Sequence, residues 1–236
     1  MSDATILTLK TMLAHLDDAK KYQSLRDVMA SLPAPDLAAV FEDLPPEKLP
    51  VLFRLCPKDQ AAEIFAELTP GTQQALIDAL SDTELKAVID ELFVDDATDL
   101  VEEMPASVVK RILAQADPAT RRMINELLRY PQDSAGGVMT TELMELRPDM
   151  TVTRAMEAIR AHGFDKETIN NCYITEPDRT LVGVVSLRAL VLEKDEGRTL
   201  RTMMDANVVS VTTTTDQEDD SRLFEKYGFL AIPVVD

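Results

Sequence analysis

Residues 130–144, YPQDSAGGVMTTELM, decide how the chain is organised. Gly136 and Gly137 stand side by side here, whereas the residues before them contain a single glycine, Gly71. Adjacent glycines free the backbone from the constraints of a Cβ and mark a loop or a close approach. Upstream of this stretch, apolar residues recur at helical spacing. Downstream, short runs suited to strands alternate with helical patterns. The stretch therefore predicts a change of architecture near residue 131, from an all-α half to an α/β half.

The upstream half reads as helix after helix. Ile6, Leu9, Leu13 and Leu16 share one helical face, and Leu25, Val28, Met29 and Leu32 share another. Prolines at 33, 35, 45, 46, 50, 57, 70, 105 and 118 end helices or occupy their first turns. The pattern also repeats: VFEDLPPEKLPVLFRL from 40, IFAELTPGTQQALIDAL from 64 and LVEEMPASVVKRIL from 100 align. Each has an apolar pair, two mainly acidic residues, Leu or Met, a turn with proline, and a second apolar helix. A helical hairpin of this size cannot bury its apolar face alone, so stacked neighbours forming a short superhelix are expected over residues 1–130.

In residues 131–236, LMELRP reads as a strand and TVTRAMEAIRAHG as a helix ending at Gly163. CYITEPDRTLVGVVSL reads as a hairpin and RALVLEKDEG as a helix. Much of that order returns in MMDANVVSVTTTTDQEDDSRLFEKYGFLAIPVVD: strand, Thr-rich turn, helix, strand. The second copy reaches Asp236 before a closing hairpin and helix, so the chain is expected to be part of something longer.

Composition narrows the function. The chain has 236 residues, 45% of them hydrophobic, only 5% aromatic and none Trp, so aliphatic side chains and methionine must fill its cores. A formal net charge of −18 without Lys/Arg patches argues against nucleic acid and favours cationic partners. Cys56 and Cys172 form no CxxC pair and fit buried thiols in a reducing compartment. No signal peptide is evident, and no apolar run approaches the roughly 18 residues of a membrane-spanning helix, so a soluble chain is expected. Enzyme chemistry finds little support. His15 lies on the polar side of the first helix and His162 at a helix end, neither beside a nucleophile motif, and AGGVMT is too short for a phosphate loop. The eleven methionines sit mostly at apolar positions and read as core.

The downstream half resembles a tandem CBS module, on VMTTELMELRPDMTVTRAMEAIR, LVGVVSLRAL and VVSVTTTTDQEDDSRLFEKYGFLAIPVVD. The first CBS copy would span about 138–198 and the second about 199–236, incomplete. An acidic helical repeat that ends in LLRYPQDSAGGVMT and runs into such a pair resembles the cytosolic region of MgtE-type magnesium channels and transporters. The resemblance covers residues 20–236. It implies a non-enzymatic regulatory region at the cytoplasmic face of the membrane, pairing as a homodimer through the CBS faces. It also implies that the second copy would finish beyond Asp236, followed by a connecting helix and the protein's own transmembrane domain.

One stretch carries the chemistry. FVDDATDLVEEMP, residues 93–105, holds five carboxylates and no base. On a helix, Phe93, Ala97, Leu100, Val101 and Met104 share one arc, and Asp95, Asp96, Asp99, Glu102 and Glu103 share the opposite one. Like charges at these spacings cost a few tenths of a kcal/mol each. By itself the pattern favours a solvated face. The resemblance changes that reading: it implies that Mg2+ bridges acids of the helical half to the CBS half and favours a compact state that closes the pore. Matched by motif, VDDATD supplies Asp95 and Asp99, KDQAAEI supplies Glu63, and TDQED supplies Asp216 and Glu218, with the backbone of Gly137 in AGGVMT as a further ligand. Mg2+ is a hard cation that prefers carboxylate oxygen and keeps much of its water.

CBS pairs also bind adenine nucleotides, and some MgtE-type proteins bind ATP. Ser186 and Arg188 are retained for that role, and Phe229 can provide an apolar wall. However, Ala189 stands where an acid would hold the ribose, and Asn171 where an aromatic ring often stacks, which argues against ATP. The rival reading is a nucleotide-sensing CBS module whose helical repeat docks proteins.

Overall fold

The computed structural model describes residues 22–236. The helical face of Ile6 to Leu16, with His15, lies outside the described residues. The chain divides into two compact units. The first runs to Leu92 and resumes over Asp96–Ile124; the second takes Phe93–Asp95 and Asn125–Asp236.

The first unit is all helix: α1 Tyr22–Ala30, α2 Ala34–Glu42, α3 Leu49–Phe53, α4 Lys58–Ala66, α5 Pro70–Ala79, α6 Asp82–Ile89, α7 Val94–Glu103 and α8 Ala106–Gln115, with the first two residues of α7 and the end of α9 Pro118–Leu127 falling in the second. Proline sets many of the starts. Pro33, Pro57 and Pro105 immediately precede α2, α4 and α8, and Pro70 and Pro118 open α5 and α9. A helix's first N–H groups have no intrahelical partner, so proline's missing donor costs nothing there. Helix α6 starts with a capping box: the Ser81 hydroxyl accepts from the Glu84 N–H, and the Glu84 carboxylate accepts from the Ser81 N–H at 2.8 Å.

Alternate helices stack, α2 on α4, α4 on α6, α6 on α8, and α3 on α5. This is the repeat that the sequence predicts, built so that each hairpin covers the apolar face of the next. Leu37, Leu52, Ile64, Phe65, Leu76, Ile77 and Leu85 are essentially inaccessible. Phe41, Phe53 and Phe65 link successive repeats edge to face, with ring centroids 6.5 and 6.2 Å apart. Side chains from later repeats also satisfy helix-end carbonyls of earlier elements. Gln60 donates to the carbonyls of Met29 and Leu32, Gln73 to that of Phe65, and Arg111 to those of Ile77 and Leu80.

The second unit holds a three-stranded sheet of order β1-β2-β3, from Leu143–Leu146, Thr168–Thr175 and Leu181–Ser186. Strands β1 and β2 are parallel and joined through α10, Val152–His162; β2 and β3 form the antiparallel hairpin, with Cys172 opposite Val185. Met144, Leu146, Val152, Ala155, Ile159, Cys172, Ile174, Val185, Leu190 and Leu200 make its core. The helix expected over RALVLEKDEG is shorter: α11 covers only Leu187–Leu192. The Glu193 carboxylate accepts the N–H groups of Lys194 and Asp195 and pairs with Arg198 at 2.7 Å, turning the chain away from the helix axis. A second, two-stranded parallel sheet joins β4, Val211–Thr212, to β5, Val234–Val235, across α12, Gln217–Tyr227. Helix α12 ends at Gly228 in the left-handed conformation, φ 65°, which glycine adopts without a Cβ penalty. None of its residues is buried.

Candidate functional site

Helix α7 carries the acidic stretch. Val94, Ala97, Thr98, Leu100, Val101 and Met104 are buried, so the amphipathic pattern does set which side packs inward. Two details differ from the predicted arcs. Phe93 precedes the helix and is only half-buried, its inward place being taken by Val94, and Asp95 and Asp96 are half-buried rather than fully outward. Asp99, Glu102 and Glu103 are exposed. Partial burial of its carboxyl, and then the charges of Glu102 and Glu103, push Asp99 above the usual carboxylate range. Glu63 is exposed on α4.

The second acidic group is at the start of α12. Asp216 is its N-cap, and its side chain accepts the Glu218 N–H at 2.9 Å. Glu218, Asp219 and Asp220 fill the first turn, where the helix dipole favours negative charge. Asp220, which sequence reasoning missed, is the half-buried member: its Oδ1 is out of contact with solvent and accepts no hydrogen bond, and burial raises its pKa. Its place four residues after Asp216, on the same helix face, was the available signal.

The glycine loop is fastened beside this helix start. Ser134 bridges Asp216 in antiparallel fashion. The N–H groups of Ala135 and Gly136 donate to the carbonyls of Thr215 and Thr213 at 2.8 and 3.0 Å, and the Gln217 N–H donates to Asp133 at 2.9 Å. The glycines are demanded by this approach. A Cβ on Gly136 would lie 2.7 Å from the Thr213 carbonyl oxygen and 2.8 Å from the Tyr130 ring; one on Gly137 would lie 2.3 Å from the Pro131 carbonyl oxygen. Gly137, Asp216 and Glu218 thus belong to one local structure within the second unit. Asp95 falls in that unit also, whereas Glu63 and Asp99 fall in the first. Among the described residues, no group of three or more His, Cys, Asp or Glu side chains is gathered as a metal cage. Carboxylates with a backbone carbonyl form an all-oxygen donor set, which suits a hard, hydrated divalent cation.

The nucleotide candidates are placed as follows. Ser186 opposes Asn171 across the β2–β3 ladder, and its hydroxyl caps α11 by accepting the Ala189 N–H at 3.1 Å. Arg188 is exposed. Phe229 stacks on Tyr227, another residue the sequence reading missed, at 5.1 Å and 11°. Both cysteines are buried, and burial pushes their thiols up, Cys56 to about 12 and Cys172 to about 11. No helix among the described residues is long and apolar enough to cross a membrane.

Comparison with known proteins gives this arrangement its context. The family described as the MgtE intracellular N domain matches residues 32–133, and the CBS domain matches residues 135–195. The magnesium transporter MgtE of Thermus thermophilus is 36% identical over 218 residues, 91% of this chain and 48% of that protein. Its namesake in Bacillus subtilis is 29% identical over 216 residues, 92% of this chain and 48% of that protein. The chain therefore spans about half the length of the curated relatives it matches. Among solved structures, the cytosolic domain of the Mg2+ channel MgtE in complex with ATP superimposes with a TM-score of 0.88 at 34% identity, covering 98% of this chain and 92% of that one. These relatives are transporters and channels rather than enzymes. With the helical repeat, the CBS fold and this near-complete match to a solved cytosolic domain, the chain belongs to the MgtE family and corresponds to its cytosolic region.

Proposed function

We propose that this chain is the Mg2+-sensing regulatory region of a magnesium channel or transporter, on the cytoplasmic face of the membrane. Residues 1–130 act as the helical sensor domain and 131–236 as the CBS domain. Asp95, Asp99 and Glu63 from helices α7 and α4, and Asp216, Glu218 and the Gly137 backbone from the CBS domain, share hydrated Mg2+ ions. Without the cation, like charges hold the helical domain away; with it, a compact state is favoured that closes the pore in the full protein. A ligand that binds one state better shifts the population toward that state by its differential affinity. The observation that carries the reading is the α7 face, where Asp99, Glu102 and Glu103 are exposed together on one side of the helix. A cation shared by such carboxylates offsets their mutual repulsion. Two copies pair through CBS faces, for which exposed Val191 and Leu192 on α11 and Leu230 beyond α12 supply apolar surface.

A second reading has one observation in its favour: the 34%-identical cytosolic domain is described in complex with ATP. Arg188 and the stacked Tyr227–Phe229 pair are the groups through which the second unit would hold a nucleotide. Calorimetric titration of this chain with MgCl2, and separately with ATP, tests both. The magnesium reading expects saturable Mg2+ binding at millimolar concentration that Asp99→Asn with Asp216→Asn weakens. Micromolar ATP binding with no Mg2+ isotherm would favour the nucleotide sensor instead.

A further inference from the structure

We infer that Ser134 is the positioning residue of the Asp216 side of the cation site, an inference that rests on the magnesium reading above. Three observations converge on it. First, it stands opposite Asp216 in an antiparallel bridge closed by its two neighbours, Ala135 donating to the Thr215 carbonyl and Asp133 accepting from the Gln217 N–H, so the backbone that supports that carboxylate is paired with the Ser134 turn rather than left to an isolated helix cap. Second, Ser134 is 4% exposed, although residues 131–133 just before it are exposed, and its hydroxyl donates to the Pro131 carbonyl at 2.7 Å. Third, the Gly137 N–H reaches both the carbonyl of Ser134, at 2.9 Å, and its hydroxyl oxygen, at 3.3 Å, and the Val138 N–H donates to the same carbonyl.

One buried side chain thus links the turn that begins at Pro131 to the peptide at Gly137, and it sits between Asp133 and Ala135, whose backbones pair with Gln217 and Thr215 on either side of Asp216. A turn closed by an i to i+3 bond and an antiparallel bridge together keep the Gly137 and Asp216 backbones within roughly 12 Å of each other. That span suits a cation held by one carboxylate and a backbone oxygen through its own waters. Gly136 and Gly137 allow the close approach, but they carry no side chain that could fix it. The Ser134 hydroxyl holds the shape of the turn that makes it. A hydroxyl at this position also gives the Gly137 N–H a second acceptor, so the peptide plane, and with it the direction of the neighbouring carbonyls, is set by a side-chain rotamer rather than by the loop backbone alone. Partners behind a metal ligand set its orientation, and their loss typically costs about 10- to 100-fold in affinity.

The experiment is a calorimetric Mg2+ titration of the 236-residue chain as wild type, Ser134→Ala, Ser134→Thr and Asp216→Asn, with thermal unfolding in EDTA alongside. The alanine retains the backbone bonds of residue 134 to Pro131, Gly137 and Val138, and leaves the Ala135 bond to Thr215 in place, so unfolding in EDTA should move little. The expected result is Mg2+ affinity about 10-fold weaker in Ser134→Ala, restored by Ser134→Thr, which returns the hydroxyl. Wild-type affinity in Ser134→Ala, with affinity lost in Asp216→Asn, overturns the positioning role and leaves the magnesium reading intact. A loss in Ser134→Ala that Ser134→Thr does not repair also overturns it, since the hydroxyl is then not the cause. If Asp216→Asn binds like wild type, the carboxylate reading falls and this inference falls with it.

Discussion

Asp99 and Glu84 show how differently two acids can be placed in one helical repeat. Glu84 is satisfied three ways, by the Arg54 guanidinium at 2.6 Å and by the N–H and hydroxyl of Ser81, and it is held down to about 2. Its folded pKa lies below the ordinary 4.5, so the stability it contributes is present above pH 4.5 and is lost as pH falls toward 2. The pair is largely exposed, which limits its worth to about 0.5 kcal/mol. Glu84→Gln is therefore expected to cost about that much at pH 7 and to flatten the acid limb of a urea-midpoint against pH profile between 4.5 and 2. Asp99 has the opposite sign. Its folded pKa is raised, so stability falls as pH climbs from the ordinary 3.8 through the raised value. Asp99→Asn should stabilise the chain at pH 7 in EDTA by a few tenths of a kcal/mol, the gain vanishing below pH 3.8. In saturating Mg2+ the order should reverse, because the variant has lost a ligand.

At the level of elements, most of the fold could be read from the sequence. Proline positions, the S-x-x-E box at 81–84 and the three-fold repeat locate the helices because each reflects a local rule about orphaned N–H groups or hairpin burial. The length of α11 could not be read so, because the Glu193 carboxylate that ends it turns the chain through contacts with Lys194, Asp195 and Arg198 that helix-forming residue types do not announce. The repeat's long-range latches were equally hidden. Arg111 on α8 serves the carbonyls of Ile77 and Leu80 and pairs with Asp82 at 2.9 Å, 29 residues or more away. Arg111→Met is expected to lower stability by about 2 kcal/mol, by leaving helix-end carbonyls without their charged donor. Arg111→Lys should recover less than half of that, since an ammonium cannot reproduce the guanidinium fork. Urea unfolding followed by circular dichroism checks both. At the candidate site, helical periodicity placed Asp99, Glu102 and Glu103 on the outer face. It did not mark Asp220 or Ser134, whose roles depend on burial and on pairing between segments some 80 residues apart.

For the whole molecule, a charge of −18 is the dominant fact. Self-repulsion disfavours compact states, and a divalent cation bound at shared carboxylates relieves it locally, which monovalent salt at equal ionic strength does only by screening. Specific binding is therefore distinguishable from screening by experiment. Small-angle X-ray scattering of the chain in rising MgCl2, against NaCl matched for ionic strength and with an Asp95→Ala/Asp99→Ala variant beside the wild type, tests it most directly. A radius of gyration that falls with Mg2+ in the wild type, but not in matched NaCl and not in the variant, is the predicted result. Superimposable curves in Mg2+ and matched NaCl would contradict it, and would leave the acids of α7 as a solvated face.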